Sequence, residues 1–205
     1  MVATAYVDGN LGATVEQPDT LSIIPVPFSN TRQTKTIEAS NSVFSPPAVM
    51  DVTPDGRLAL VLETWQPRPQ GATKLDELIP GKTLSGFDLS DPNNPQPIGA
   101  VEVNTQPQAI AISPDGSLAA IAGLDINEGL TFVALDGTSL GKPQNFPLNL
   151  PARPDLQTDG VTFIQWHPSG RFLAVNLVDR AVPRRSRDRI SFRYDIHIQD
   201  NHGSN

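Results

Sequence analysis

Pro107-Gln-Ala-Ile-Ala-Ile-Ser-Pro-Asp-Gly-Ser-Leu-Ala-Ala-Ile-Ala-Gly123 places two short apolar runs, Ala109–Ile112 and Leu118–Ala122, on either side of a Ser113-Pro114-Asp115-Gly116 corner. Pro114 presets φ for the first corner position, and Gly116 accepts the positive φ that closes a tight hairpin. Apolar runs of four or five residues between turn signals predict strands buried on both faces. The same unit recurs at Thr53-Pro54-Asp55-Gly56 and His167-Pro168-Ser169-Gly170, each corner flanked by apolar runs: Ala48–Val52 and Leu58–Leu62, then Val161–Trp166 and Phe172–Leu177. These are strands A and B of a repeat.

Downstream of B a third run recurs as Leu21–Val26, Leu84–Leu89 and Leu130–Leu135, each opening with Leu followed by a hydroxyl residue (strand C). A fourth, more polar run (strand D) follows at Thr34–Glu38, Ile98–Val103 and Asn145–Leu150. Four short strands per repeat, the most apolar first and the most polar last, predict an all-β propeller, with inner strands between blades and the outer strand in water. The expected partial propeller covers residues 1–178 in pieces 1–38, 47–103, 107–150 and 161–178, with Val2–Val7 in the strand B place of the first blade.

These A-corner-B units resemble the seven-bladed propeller superfamily that includes YVTN-repeat proteins and lactonase-like propellers. The corner is turn chemistry common to propellers of many activities, so the resemblance carries fold more than function. A closed ring takes about four to eight blades, and the repeats here amount to about three. A fragment of a longer protein, a truncated or shifted frame near residue 180, or several chains closing one ring would each explain this. Incompleteness is preferred over assembly, because closure by separate chains needs a specific rotation.

Composition narrows the partners. The 205 residues carry a net charge of −7 and no Cys, which excludes disulfides and thiolate metal sites and weighs against nucleic acid. No apolar run reaches membrane-spanning length. The first basic residue is Arg32, so the start lacks the charge of a secretory signal; the compartment stays open. Residues 179–205 form an Arg-rich tail, with six of the eleven arginines between Arg180 and Arg193. The tail reads as an unstructured or misread extension, or as an anion-binding arm in which Ile190–Ile198 makes a substitute strand C.

Strand direction alternates within a blade, so all A–B corners share one rim. Asp55 and Asp115 are expected to bond their own turn backbone. The B–C connections share the other rim, where each repeat places acids or amides: Asp8 and Asn10, Glu63, Asp125 with Asn127 and Glu128, and Asn176 with Asp179. Such a ring of oxygens is either a mouth able to hold Ca²⁺ or another divalent cation, or simply polar loop ends facing water. The resemblance to lactonase-like propellers implies a metal-dependent hydrolytic site there, drawing on Glu63, Asp125, Asn127 and Asn176. The alternative is a scaffold holding a protein or small-molecule ligand, with no catalytic residue. The Pro-rich insertion after Glu63 (Trp65–Gly71, then a helical turn in Thr73–Leu78) lies on this rim. Trp65 serves there as an aromatic platform or as cover for its own blade edge. His167 falls on the corner rim, and Trp166 is expected between blades.

Overall fold

The computed structural model describes residues 6–7, 9–12, 18–26, 34–40, 48–148 and 158–179. They form an incomplete propeller of antiparallel sheets stacked side by side.

The second sheet shows why the blade forms. Strands β5 (Met50–Val52), β6 (Leu58–Trp65), β7 (Pro80–Asp88) and β8 (Gln96–Glu102) pair in sequence order, with β6 buried almost throughout, β7 buried in part, and β5 and β8 largely exposed. Leu58, Leu60 and Leu62 point to one face of β6 and Ala59 and Val61 to the other, so both faces must meet apolar neighbours. The third sheet repeats the order with β9 (Pro107–Ile112), β10 (Leu118–Gly123), β11 (Leu130–Asp136) and β13 (Gln144–Phe146); the two-residue β12 (Ser139–Leu140) also pairs with β11. The fourth sheet holds β14 (Thr158–Trp166) and β15 (Leu173–Asp179), strands A and B of a blade. The first holds β3 (Thr20–Ile23) and β4 (Lys35–Glu38), strands C and D.

Three apolar layers lie between the sheets. Leu21, Ala59, Val61 and Phe87 join the first to the second. Leu60, Leu62, Ile110, Ile121 and Val133 join the second to the third. Ala109, Ala120, Val161, Ile164 and Val175 join the third to the fourth. Trp166 packs between the last two as expected: its ring lies edge-on to Phe132, and its Nε1–H donates to the Ala111 carbonyl at 3.0 Å. The corners share one rim, since a methyl placed on Gly116 would lie 3.4 Å from Pro54 Cδ and one on Gly170 3.9 Å from Pro114 Cδ.

Strand boundaries differ in detail. β5 starts at Met50 rather than Ala48; the Ala48 carbonyl accepts from Ile110 of the third sheet, while that of Val49 still accepts from Leu62 of β6. β7 begins at Pro80, four residues before the Leu84 expected to open strand C. The third strand D is Gln144–Phe146 rather than Asn145–Leu150, whose last two residues lie outside the described set. The N-terminal strand is a larger departure. β1 (Tyr6–Val7) pairs with β2 (Asn10–Leu11) in a hairpin of its own, not with β3. That hairpin docks on the insertion of the second blade: Leu11 N–H donates to the Thr73 carbonyl, and Leu75 N–H donates to the Gly9 carbonyl. Two strong backbone bonds across the loop outcompete the sheet edge that Val7 was expected to fill. The rest of the expected strand, and the Arg-rich tail from Arg180, lie outside the described residues.

Candidate functional rim

The corner rim is structural. Asp55 accepts from the Thr53 hydroxyl and the Arg57 N–H, and Asp115 accepts from Ser113, the Ser117 N–H and the Ser117 hydroxyl. The hydroxyl bond first and the backbone bond second hold each carboxyl below its ordinary value. His167 closes the third corner through its Nδ1, which faces the Ser169 hydroxyl at 2.8 Å and accepts from the Ser169 N–H.

The opposite rim carries the expected acids. Glu63 is buried near the end of β6, 9% exposed. Its Oε1 accepts from the Ser40 hydroxyl at 2.5 Å and its Oε2 from the Thr83 hydroxyl at 3.0 Å. The carboxylate therefore pins the end of the first sheet to two strands of the second. Asp125 caps a single 3-10 turn, Ile126–Glu128, accepting from both the backbone and side-chain nitrogens of Asn127. Glu128 reaches back to the Thr105 N–H at 2.7 Å. Asn10 sits in β2 in a backbone bridge with Lys74 of the insertion. Asn176 is half-buried in β15 opposite Phe163. Asp179 ends β15, with its side chain outside the description, and Asp8 lies outside the described residues.

Glu63 and Glu128 belong to one connected stretch of rim. Gly81 packs on Glu63, its carbonyl accepts from Gln106 N–H, and the Gln106 carbonyl in turn accepts from Leu124 N–H. Asp125 braces its own turn, whereas Glu63 and Glu128 tie theirs to segments distant in the chain. Among the described residues no group of three or more His, Asp or Glu is placed to hold a metal ion.

Sequence reasoning missed the residue at the middle of this stretch. Gln106 is the one non-glycine among the described residues with positive φ, at 51°. That conformation costs about 1–3 kcal/mol and persists where surrounding bonds enforce it; here its N–H and carbonyl bond Gly81, Leu124 and the Gln108 side chain. Glutamine carries no turn signal, so only the fold reveals it. Beside it Asn104 is buried, donating to the Glu128 and Gly129 carbonyls and facing the Thr131 hydroxyl.

The insertion is braced throughout. Arg68 donates to the Ala72 and Gly12 carbonyls, and Gln66 N–H to the Ile79 carbonyl. Glu77 accepts from the Thr73 and Lys74 N–H groups at the expected helical turn, a 3-10 turn over Leu75–Glu77. Trp65 is half-buried, opposite Pro80 at the end of β6. An open groove of about 610 Å³ lies elsewhere, between β8 and the β12–β13 segment, lined by residues such as Val101, Glu102, Leu140 and Lys142. None of the expected site residues lines it. No described helix is long and apolar enough to cross a membrane.

No family model matches the chain, and no curated protein matches it. Solved structures do. A candidate 6-phosphogluconolactonase from Bacteroides uniformis is 17% identical with a TM-score of 0.50, over 78% of this chain and 45% of that one. A protein from Lactobacillus plantarum is 18% identical with a TM-score of 0.51, over 78% and 44%. The chain thus spans less than half the length of the structures it matches, and what it shares with them is a fold, that of a β-propeller.

Proposed function

We propose that the chain is a propeller scaffold that binds a protein or small-molecule ligand on the rim around the Trp65 insertion. One observation supports this reading over the lactonase-like hydrolase: the rim carboxylates whose side chains are described each brace the fold. Glu63 has a hydroxyl on each oxygen, Asp125 holds Asn127, and Glu128 holds the Thr105 N–H. Ca²⁺ takes six to eight oxygen ligands at 2.3–2.6 Å. A site drawing on Glu63, Asp125, Asn127 and Asn176 would have to bring together residues that now brace separate parts of the rim. The braced insertion, by contrast, is a long loop kept in one shape, which lowers the ordering cost of binding.

Thermal unfolding with millimolar CaCl₂, MgCl₂ or MnCl₂, alongside hydrolysis of a simple δ-lactone, tests the choice. The scaffold predicts an unmoved midpoint and no turnover. A cation at a hundred times its Kd would add about 2.7 kcal/mol, roughly 5–10 °C for a chain of this size. A shift of that order with lactone turnover overturns the scaffold in favour of the hydrolase.

A further inference from the structure

The chain holds five Asp-Gly pairs, at Asp8, Asp55, Asp115, Asp136 and Asp159. Glycine leaves its own nitrogen unshielded and its backbone free to turn, so Asp-Gly is the pair in which an amide N–H most readily attacks the preceding carboxyl. Whether it does so in a folded chain depends on what holds that N–H and that carboxyl.

In the two corners both are held. Gly56 N–H and Gly116 N–H donate at 2.8 Å to the Thr53 and Ser113 carbonyls. The Asp55 and Asp115 carboxylates accept the Thr53 and Ser113 hydroxyls at 2.6 Å, and the Arg57 and Ser117 N–H groups at 3.1 Å. The hydroxyl bonds first and the N–H bonds second hold these carboxyls below their ordinary value. Less of each is therefore protonated, the form that can lose its OH as water. Asp159 lies within β14, where Gly160 is in register with Val178 of β15. Asp8 lies outside the described residues.

Asp136 differs on each count. It ends β11 and pairs with Ser139 across the two-residue loop Gly137-Thr138. Gly137 has a φ of 59°, the positive value taken at the first loop position of a type II′ hairpin, and a methyl there would meet open space. Among the described residues nothing accepts from Gly137 N–H and nothing donates to the Asp136 carboxylate. Both residues are exposed.

We propose that Asp136-Gly137 is a site of spontaneous isoaspartate formation, favoured over the Asp-Gly pairs of the corners. The Gly137 nitrogen bonds to the Asp136 Cγ, the bond from Cγ to its OH breaks, and the OH leaves with the N–H proton as water. A water from solvent then opens the cyclic imide at the former backbone carbonyl. The main chain now runs through Cγ and the α-carboxylate is free, with no net change in mass. The loop gains one backbone carbon just before β12, whose Leu140 pairs with Leu135, packs on the layer between the second and third sheets and lines the open groove. Isomerisation therefore draws Leu140 out of register and reshapes that groove. The hairpin lies on the corner rim, where Leu135 N–H donates to the Ser117 carbonyl, so the inference is independent of binding at the Trp65 rim.

The full chain, aged for weeks at neutral pH, is cut after glutamate, leucine and aromatic residues, which separates the Asp55, Asp115 and Asp136 pairs. Isoaspartyl methyltransferase with radioactive S-adenosylmethionine then labels each new α-carboxylate. The Asp136 peptide should carry about ten times the label of either corner peptide, or more, because ring closure in a corner first breaks a glycine N–H bond and a carboxylate bond. Ageing in urea should bring the three to similar labelling. Asp136→Glu, whose longer side chain closes a ring far more slowly, should abolish the label on that peptide and leave the corner peptides unchanged. A corner peptide labelled as strongly as the Asp136 peptide in the folded chain, or no label at Asp136, overturns the proposal.

Discussion

Removing the Glu63 carboxylate separates a structural brace from a vacant ligand. The structure gives this side chain two hydroxyl donors, Ser40 at 2.5 Å and Thr83 at 3.0 Å, and leaves it 9% exposed. Hydrogen bonds to a charged acceptor contribute about 1.5 kcal/mol or more each. The one buried methylene lost, Cγ, adds about 0.8 kcal/mol. Relief of the carboxylate's desolvation offsets part of this, roughly 2 kcal/mol, taking the low end of a penalty of several kcal/mol per buried ion. Glu63→Ala should then lose about 2 kcal/mol. Glu63→Gln keeps the stem and one acceptor and should lose about 1 kcal/mol. Urea unfolding followed by the fluorescence of the two tryptophans reads both, as a lower midpoint at unchanged slope. Ser40→Ala and Thr83→Ala, each combined with Glu63→Ala, should show coupling of about 1 kcal/mol. A carboxylate kept for a ligand is commonly a liability to the unliganded fold. If either variant is as stable as the parent protein or more so, Glu63 is not a brace, and the argument for a scaffold loses its main support.

Two further outcomes follow from the same geometry. Gly129 and Gly137 both have positive φ, at 71° and 59°, but a methyl at 129 would strike the Phe146 carbonyl while one at 137 meets open space. Gly137→Ala should cost about 1 kcal/mol of backbone strain and Gly129→Ala at least about 3; equal urea midpoints would refute the close approach of β11 and β13. Asp55 and Asp115 are held below their ordinary value of 3.8 by their corner hydroxyls and N–H groups. Their contribution is present above that value and lost as pH falls through the lower folded values. The thermal midpoint should therefore drop below about pH 4, and less steeply in the Asp55→Asn, Asp115→Asn double variant; an unchanged slope would refute the corner bonds.

Much of the fold was legible in the chain. Corner chemistry is local: the Thr53–Asp55 and Ser113–Asp115 bonds span two residues, so the tetrapeptide reports them directly. The hydroxyl after the leading Leu of strand C marked equivalent register in the two whole blades, as Val61↔Ser85 and Ile121↔Thr131. The place of the N-terminal strand was not legible. Tyr6–Val7 has the composition of a strand, but its partner is chosen by backbone bonds to Thr73 and Leu75, distant in sequence. The candidate rim was legible only as polarity. Asp125 and Glu128 were read as oxygen ligands or as polar loop ends; their bonds to Asn127 and Thr105 come from the fold.

The sequence by itself determined the strands, their order and the shared rim of the corners, because apolar period and turn residues act over a few positions. The tertiary structure alone decided what the acids do. Glu63 meets Ser40 and Thr83 across 23 and 20 residues of chain, and Gln106 takes its unusual φ from Gly81 and Leu124. A carboxylate's role is set by which donors surround it, and stacking of the sheets brings those donors there.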